Sequence, residues 1–243
     1  MRNFKIVLQY EGTRYQGWQR QESTQNTIQG KLERLLSRLA GTKVEIQASG
    51  RTDAGVHACG QVANFHMNTQ LSAQELMGKI NEYLPEDIAV IAIEEVPERF
   101  HSRLNAKGKT YRYRVLNSAV PHIFERRYVY VFPEKLDVDA MRRAAALLCG
   151  THDFRAFTSA KKSRKSTVRS VDSIDIERMG DEIWFTFSGN GFLFHMVRIL
   201  MGTLLEVGSG KRRAEEMTEL LENGKREDAV SYTHLRAHET GAY

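Results

Sequence analysis

Residues 49–59 read SGRTDAGVHAC, with one carboxylate, Asp53, set between Gly50 and Gly55. Arg51 and Thr52 stand just before the acid and His57 just after it. Glycines this close to an acid mark a backbone shape closed to residues with a Cβ, or a close approach by a ligand. The flanks, residues 43–48 and 61–67, read as strands. An acid on a tight loop between two strands suits catalysis, because a rigid scaffold can aim it. The same residues also read as a plain turn, in which Asp53 caps its own backbone and Arg51 is solvated. The rest of the chain has to separate the two.

Upstream, residues 4–10 alternate as a strand, and residues 12–21, GTRYQGWQRQ, form a loop mixing basic and aromatic side chains. Thr27 caps a helix whose Ile28, Leu32, Leu35, Leu36 and Leu39 recur at helical spacing, and Gly41 ends it. Downstream, Ser72 with Glu75 forms a capping box opening a helix through Leu76, Ile80 and Leu84, stopped by Pro85. An apolar strand follows at 88–96. The order strand, helix, strand, strand, helix, strand is ferredoxin-like.

The second half repeats that order without repeating sequence. Strands are expected at 110–116 and 128–132, and a helix at 137–149 with Gly150 as its C′ residue. Paired strands follow at 168–179 and 182–188 around the Gly180-Asp181 turn. Helices are expected at 192–207, closed by Gly208, and at 213–222. The expected fold class is α+β, two ferredoxin-like halves (residues 1–100 and 101–229) with a joined antiparallel sheet and a central cleft. Residues 230–243 lack sustained alternation. They read as an atypical tail, foreign to the fold, standing where a closing strand is wanted.

Composition sets outer bounds. The chain has 243 residues, 41% of them hydrophobic and 27% charged, which suits a soluble protein of one large domain or two smaller ones. No apolar run approaches the ~20 residues of a membrane span. No signal peptide precedes the first strand pattern. Cys59 and Cys149 have neither metal-ligand spacing nor a bridge framework, which points to a reducing cytoplasm. The net charge of +5 is a mild pointer to nucleic acid, so its distribution matters more.

That distribution is uneven. One group holds Arg14, Tyr15, Trp18 and Arg20. A second holds Arg99, Phe100, His101, Arg103, Lys107 and Lys109. A third, KKSRKSTVR, holds Lys161, Lys162, Arg164, Lys165 and Arg169. Basic side chains neutralise phosphates while aromatic faces stack on unpaired bases, a combination suited to RNA. Each group alone also reads as a solvated loop. In KTYRYRVL, Tyr111 and Tyr113 share a face with Val115; Tyr113 reads as core, whereas Tyr111 opens the strand and can reach a cleft. Arg198 lies one turn into the segment FLFHMVR, after the loop Gly189, Asn190, Gly191.

Taken together, GRTDAGVHA (50–58), YEGTRYQGWQRQ (10–21), RFHSR (99–103), KTYRYRV (109–115) and FLFHMVR (192–198) closely resemble the tRNA pseudouridine synthase A family. The similarity runs over about residues 1–229, and GRTDAGVHA carries most of its specificity. The resemblance implies a pseudouridine synthase fold and a cytoplasmic homodimer that acts on tRNA. The implied reaction isomerises uridine to pseudouridine at positions 38, 39 and 40 of the anticodon stem-loop, with no cofactor and no metal.

It assigns Asp53 as nucleophile or base, Arg198 as its guanidinium partner, and Tyr111 and Arg51 as substrate-binding residues. Arg14, Arg20, Arg103, Lys109, Lys161, Lys162, Arg164 and Lys165 are then the RNA-binding set. Two other readings stand beside it: a tRNA-binding protein without catalysis, and a metal-dependent hydrolase using Asp53, His57 and Cys59. The family's final alternating strand is missing from residues 230–243.

Overall fold

Period-two alternation buries Phe4, Ile6, Leu8 and Tyr10 on one face of β1 (Arg2–Tyr10). The computed structural model describes residues 1–160, 166–230 and 238–242, the last five as backbone. Lys161, Lys162, Arg164 and Lys165 therefore lie outside the described residues. The chain divides into two compact units, Met1–Lys107 with His238–Tyr243, and Gly108–Ala237.

In the first unit β1 is followed by α1 (Ile28–Ala40), β2 (Ile46–Ala48), β3 (His57–Met67), α2 (Ala73–Tyr83) and β4 (Ile88–Val96). The strands pair antiparallel in the order β4-β1-β3-β2, the ferredoxin-like arrangement expected from the element order. Thr27 caps α1 by accepting the Gly30 N–H, and Gly41 ends it in the left-handed region at φ 68°. The buried face of α1 carries Ile28, Leu32, Leu35 and Leu36. Each such side chain contributes about 1.5–3 kcal/mol through burial. The Ser72–Glu75 capping box forms as expected. The first strand beside the acid is shorter than the sequence suggests, and the second begins at His57, four residues earlier.

The sequence ends the first half at residue 100, but the first unit continues to Lys107. Two buried asparagines explain why 97–102 stays with this sheet. Asn3 on β1 donates from Nδ2 to the carbonyls of Pro97 (3.1 Å) and Phe100 (3.0 Å). Asn64 on β3 accepts from the Ser102 N–H (2.8 Å) and hydroxyl (2.9 Å), and donates to Asn3 Oδ1 (3.1 Å). A second departure concerns the tail. His238–Ala242 is a strand, β10, parallel to β3 with His238 opposite His57 and Glu239 opposite Ala58. β2 covers β3 only from Ala63 to Phe65, leaving backbone groups of its first residues to be paired. Such pairing uses the main chain and needs no side-chain alternation, so the sequence pattern is silent about it. Residues 231–237 and 243 lie outside the described residues.

The second unit holds β5 (Lys109–Leu116), β6 (Tyr130–Val131), α3 (Val138–Leu148), β7 (Gly150–Asp153), β8 (Val168–Met179), β9 (Glu182–Gly189), α4 (Met196–Gly208) and α5 (Glu216–Glu222). Its sheet runs β5-β9-β8-β7, all antiparallel, with β6 parallel to the end of β5. Gly180 makes the expected β8–β9 turn at φ 63°. β7 is absent from the sequence reading, because four mostly polar residues at a sheet edge carry no alternation. It pairs with β8 from Val168 to Val171, and Thr151 and Ser170 share a hydroxyl hydrogen bond of 2.6 Å.

Two details of α4 also differ from expectation. The helix starts at Met196, not residue 192, because His195 sits in the left-handed region at φ 60° and cannot continue a helix. Gly208 is its last helical residue rather than its stop. A Cβ there would lie 2.6 Å from Met141 Sδ, so this glycine makes room for α3.

Candidate active site

The loop between β2 and β3 is shaped from two sides. Within it, the Val56 N–H donates to the Asp53 carbonyl at 3.2 Å, and Gly55 occupies the third turn position at φ 77°. That position requires a positive φ, which explains the glycine two residues after the acid. Gly50 has no positive φ among the described residues; its carbonyl accepts from Gln61 Nε2 at 3.1 Å.

From outside, the segment after β1 grips the loop through its main chain. Trp18 N–H donates to the Thr52 carbonyl at 2.9 Å, and Gly55 N–H donates to the Tyr15 carbonyl at 3.2 Å. Contact is close enough that a Cβ on Gly12 would fall 1.9 Å from the Val56 carbonyl oxygen. A Cβ on Gly17, itself at φ 88°, would fall 2.7 Å from the Thr52 carbonyl oxygen. The GTRYQGWQRQ run thus owes its glycines to the loop that carries Asp53. Its aromatic residues Tyr15 and Trp18 are buried, so they pack instead of presenting faces to an RNA.

Beneath the loop lies a buried polar network that the sequence reading missed. Tyr10 donates its hydroxyl proton to Gln61 Oε1 at 2.5 Å, and the Tyr10 hydroxyl oxygen lies 2.7 Å from Thr52 Oγ1. Gln61 in turn holds Gly50, so the network fixes the backbone on both sides of Arg51. Polar residues at inward strand positions are the only sequence signal for it, because the partners are distant in the chain. Tyr10→Phe leaves buried partners unsatisfied and is expected to cost about 1–3 kcal/mol. Urea unfolding measures it; a midpoint unchanged from wild type would show that the network bears no weight.

His57 is also buried. Its Nδ1 accepts the Gly12 N–H at 3.2 Å and lies 3.3 Å from Glu11 Oε1. An Nδ1 that accepts from Gly12 cannot also donate to Glu11, so the ring's partner depends on its protonation.

The remaining expected residues fall into distinct environments. Asp53 is half-buried and Arg51 exposed, on the same loop. Arg14 pairs with Asp87 at 2.7 Å, and Tyr15 donates to the same carboxylate at 2.7 Å. Burial alone would raise the Asp87 pKa, but the hydrogen bonds from Tyr15 and Arg14 outweigh it and hold the carboxyl below its usual range. This contribution to stability is present above the ordinary aspartate pKa and is lost as pH falls through the lowered one. Burial, then the bond to Asp87, pushes the Tyr15 phenol above the ordinary tyrosine range.

Arg20 pairs at 2.9 Å with Glu33, a buried acid on α1 that also accepts from Gln29 Nε2 (2.9 Å) and the Ile46 N–H (3.2 Å). Arg103 lies in the first unit with Arg51 close enough to act on its charge.

In the second unit Lys109 opens β5. Tyr111 meets the Phe192 ring edge-on, with centroids 5.4 Å apart. Tyr113 is buried against Phe187, the core role expected of it. Arg198 is half-buried in the first turn of α4, directly after the left-handed His195, whose ring stacks on Phe194 at 3.7 Å. A left-handed non-glycine residue costs roughly 1–2 kcal/mol. His195 is the only one among the described residues, and nothing in the sequence announces it.

These motifs can be set beside known proteins. A family model described as tRNA pseudouridine synthase matches residues 6–105 and 144–241. A tRNA pseudouridine synthase A of a Bacillus species is 46% identical over 229 residues, covering 94% of this chain and 94% of that protein. A tRNA pseudouridine synthase A of Acetivibrio thermocellus is 44% identical over 229 residues, covering 94% and 93%. One named tRNA pseudouridine synthase A 1, from Clostridium tetani, is 45% identical over 229 residues, covering 94% of each. At such identity over nearly the whole of each chain, this chain belongs to the tRNA pseudouridine synthase family.

Proposed function

We propose that this protein isomerises uridine to pseudouridine at positions 38, 39 and 40 of the tRNA anticodon stem-loop, with Asp53 as nucleophile or base. The supporting observation is the loop itself, whose main chain is gripped so closely by Gly12 and Gly17 that its one acid has a fixed origin. The reaction breaks the bond from N1 of uracil to C1′ of ribose and forms one from C5 to C1′. C5 gives up its proton and N1 gains one, so there is no net redox change and no electron acceptor is required. One carboxylate, ionised at neutral pH, suffices to open such a sequence. The target base must leave the helical stack to expose C1′ and C5.

Arg198 supplies the guanidinium that favours the ionised acid, and Tyr111 the ring that stacks on uracil. Arg51 also binds the substrate. Arg14, Arg20, Arg103 and Lys109, with Lys161, Lys162, Arg164 and Lys165, hold tRNA by phosphate and shape, which suits an enzyme modifying several neighbouring sites. The protein acts as a cytoplasmic homodimer without a cofactor.

The test is nucleoside analysis and mapping of tRNA lacking the modification after incubation with the protein. Pseudouridine at 38, 39 or 40 is the expected product, and none at any of them would refute the proposal. Arg198→Lys keeps the charge but not the planar fork, so it should still lose about 10²-fold in rate, the cost of misplacing a catalytic group. Single-turnover kinetics decide it; a wild-type rate would remove Arg198 from the site.

A further inference from the structure

A cavity of about 250 Å³ lies in the first unit, lined by Trp18, Gln29, Gln47, Arg51, His101 and Arg103 among others. It falls below the ~300–1,000 Å³ usual for drug-sized ligands and suits a smaller group. Its chemistry is one-sided. Partial burial, then the like charge of Arg51, lowers the Arg103 pKa. Three other arginines of the same unit are paired with acids: Arg2 with Glu95, Arg14 with Asp87, Arg20 with Glu33. Two guanidiniums lining one cavity with no acid in its walls repel one another, and an anion seated there would relieve that repulsion.

His101 adds a donor. Its Nδ1 accepts the Arg103 N–H at 3.2 Å, which leaves the proton of the neutral ring on Nε2.

The walls are built in advance. Residues 97–102 are fastened to the sheet by Asn3 and Asn64, and Glu33 fixes both Gln29 and the Ile46 main chain. Preorganised donors lose little entropy on binding. A set of two arginines and a histidine, with no acid among the lining residues, fits a phosphodiester. Arg51 and Asp53 are two residues apart, so their Cα atoms are at most about 7 Å apart. An anion held by Arg51 would therefore sit near the reacting nucleotide.

We propose that this cavity is a backbone-phosphate subsite, in which Arg51, His101 and Arg103 seat a phosphodiester of the RNA beside the target uridine. The inference rests on the functional reading above, in that the RNA is the substrate. The test is equilibrium binding of tRNA over a salt series, which requires no turnover. Arg103→Gln should reduce the slope of log K against log salt by about 0.7 to 0.9, one phosphate contact, and Arg103→Lys should restore the slope. A slope unchanged in Arg103→Gln would overturn the subsite. So would binding of inorganic phosphate that Arg103→Gln abolishes without altering the tRNA slope, since the cavity would then hold a free anion. Reduced slope in a protein that makes no pseudouridine would support the subsite and sink the proposed function instead.

Discussion

Asp53→Asn should leave tRNA affinity within a few-fold of wild type while single-turnover rate falls by at least about 10²–10⁴, the range for a lost acid–base group. If the carboxylate forms a covalent bond, the rate falls below detection. The substitution preserves volume and the Asp53 carbonyl, which closes the turn to Val56, so the loop keeps its shape. Loss of rate then reports the carboxylate and not a collapsed site. Rate and affinity falling together would mean that Asp53 supports the loop, and a rate within tenfold of wild type would dismiss it as the catalytic group.

Gly12→Ala should be damaging for a purely geometric reason. The new Cβ would lie 1.9 Å from the Val56 carbonyl oxygen and 2.6 Å from its carbon, both main-chain atoms of the Asp53 loop. Backbone cannot rotate aside as a side chain can, so the loop must shift. A cost at or above the upper end of the ~1–3 kcal/mol typical of overpacking is expected, together with loss of turnover. Gly78 provides the control: it lies inside α2 with nothing within 4 Å of an added Cβ. There the same substitution should stabilise by roughly 0.5–1 kcal/mol. Thermal melts of both variants decide it. A Gly12→Ala protein as stable and active as wild type would mean that the close contact does not hold the loop.

The contrast between these two glycines shows what a sequence can convey. The Asp53 motif announces itself because several constraints fall within eleven consecutive residues, and Gly55 can be assigned to its turn by local rules alone. The helices of the first unit, with Thr27 and Ser72 at their caps, are equally local. The Tyr10–Gln61 bond and the Asn3–Asn64 pair join residues fifty or more positions apart, so no spacing rule brings them together. The same holds for Glu33, which reads as a solvated helix acid until β2 is laid against it. β7 and β10 are short and use main-chain pairing at sheet edges, where side-chain period has nothing to report. Tyr15 and Trp18 mislead in the other direction: aromatics among arginines suggest base stacking, but both are buried, Trp18 beside the Tyr10 ring and Tyr15 bonded to Asp87.

The most direct measurement is release of tritium from tRNA labelled at C5 of uracil. Isomerisation exchanges the C5 proton for a bond to ribose, so every turnover at a labelled site must free one. The wild-type protein should release tritium in step with pseudouridine formation, and Asp53→Asn should release none above background. Release by Asp53→Asn at the wild-type rate, or none from a wild-type protein that binds the tRNA, would contradict the account.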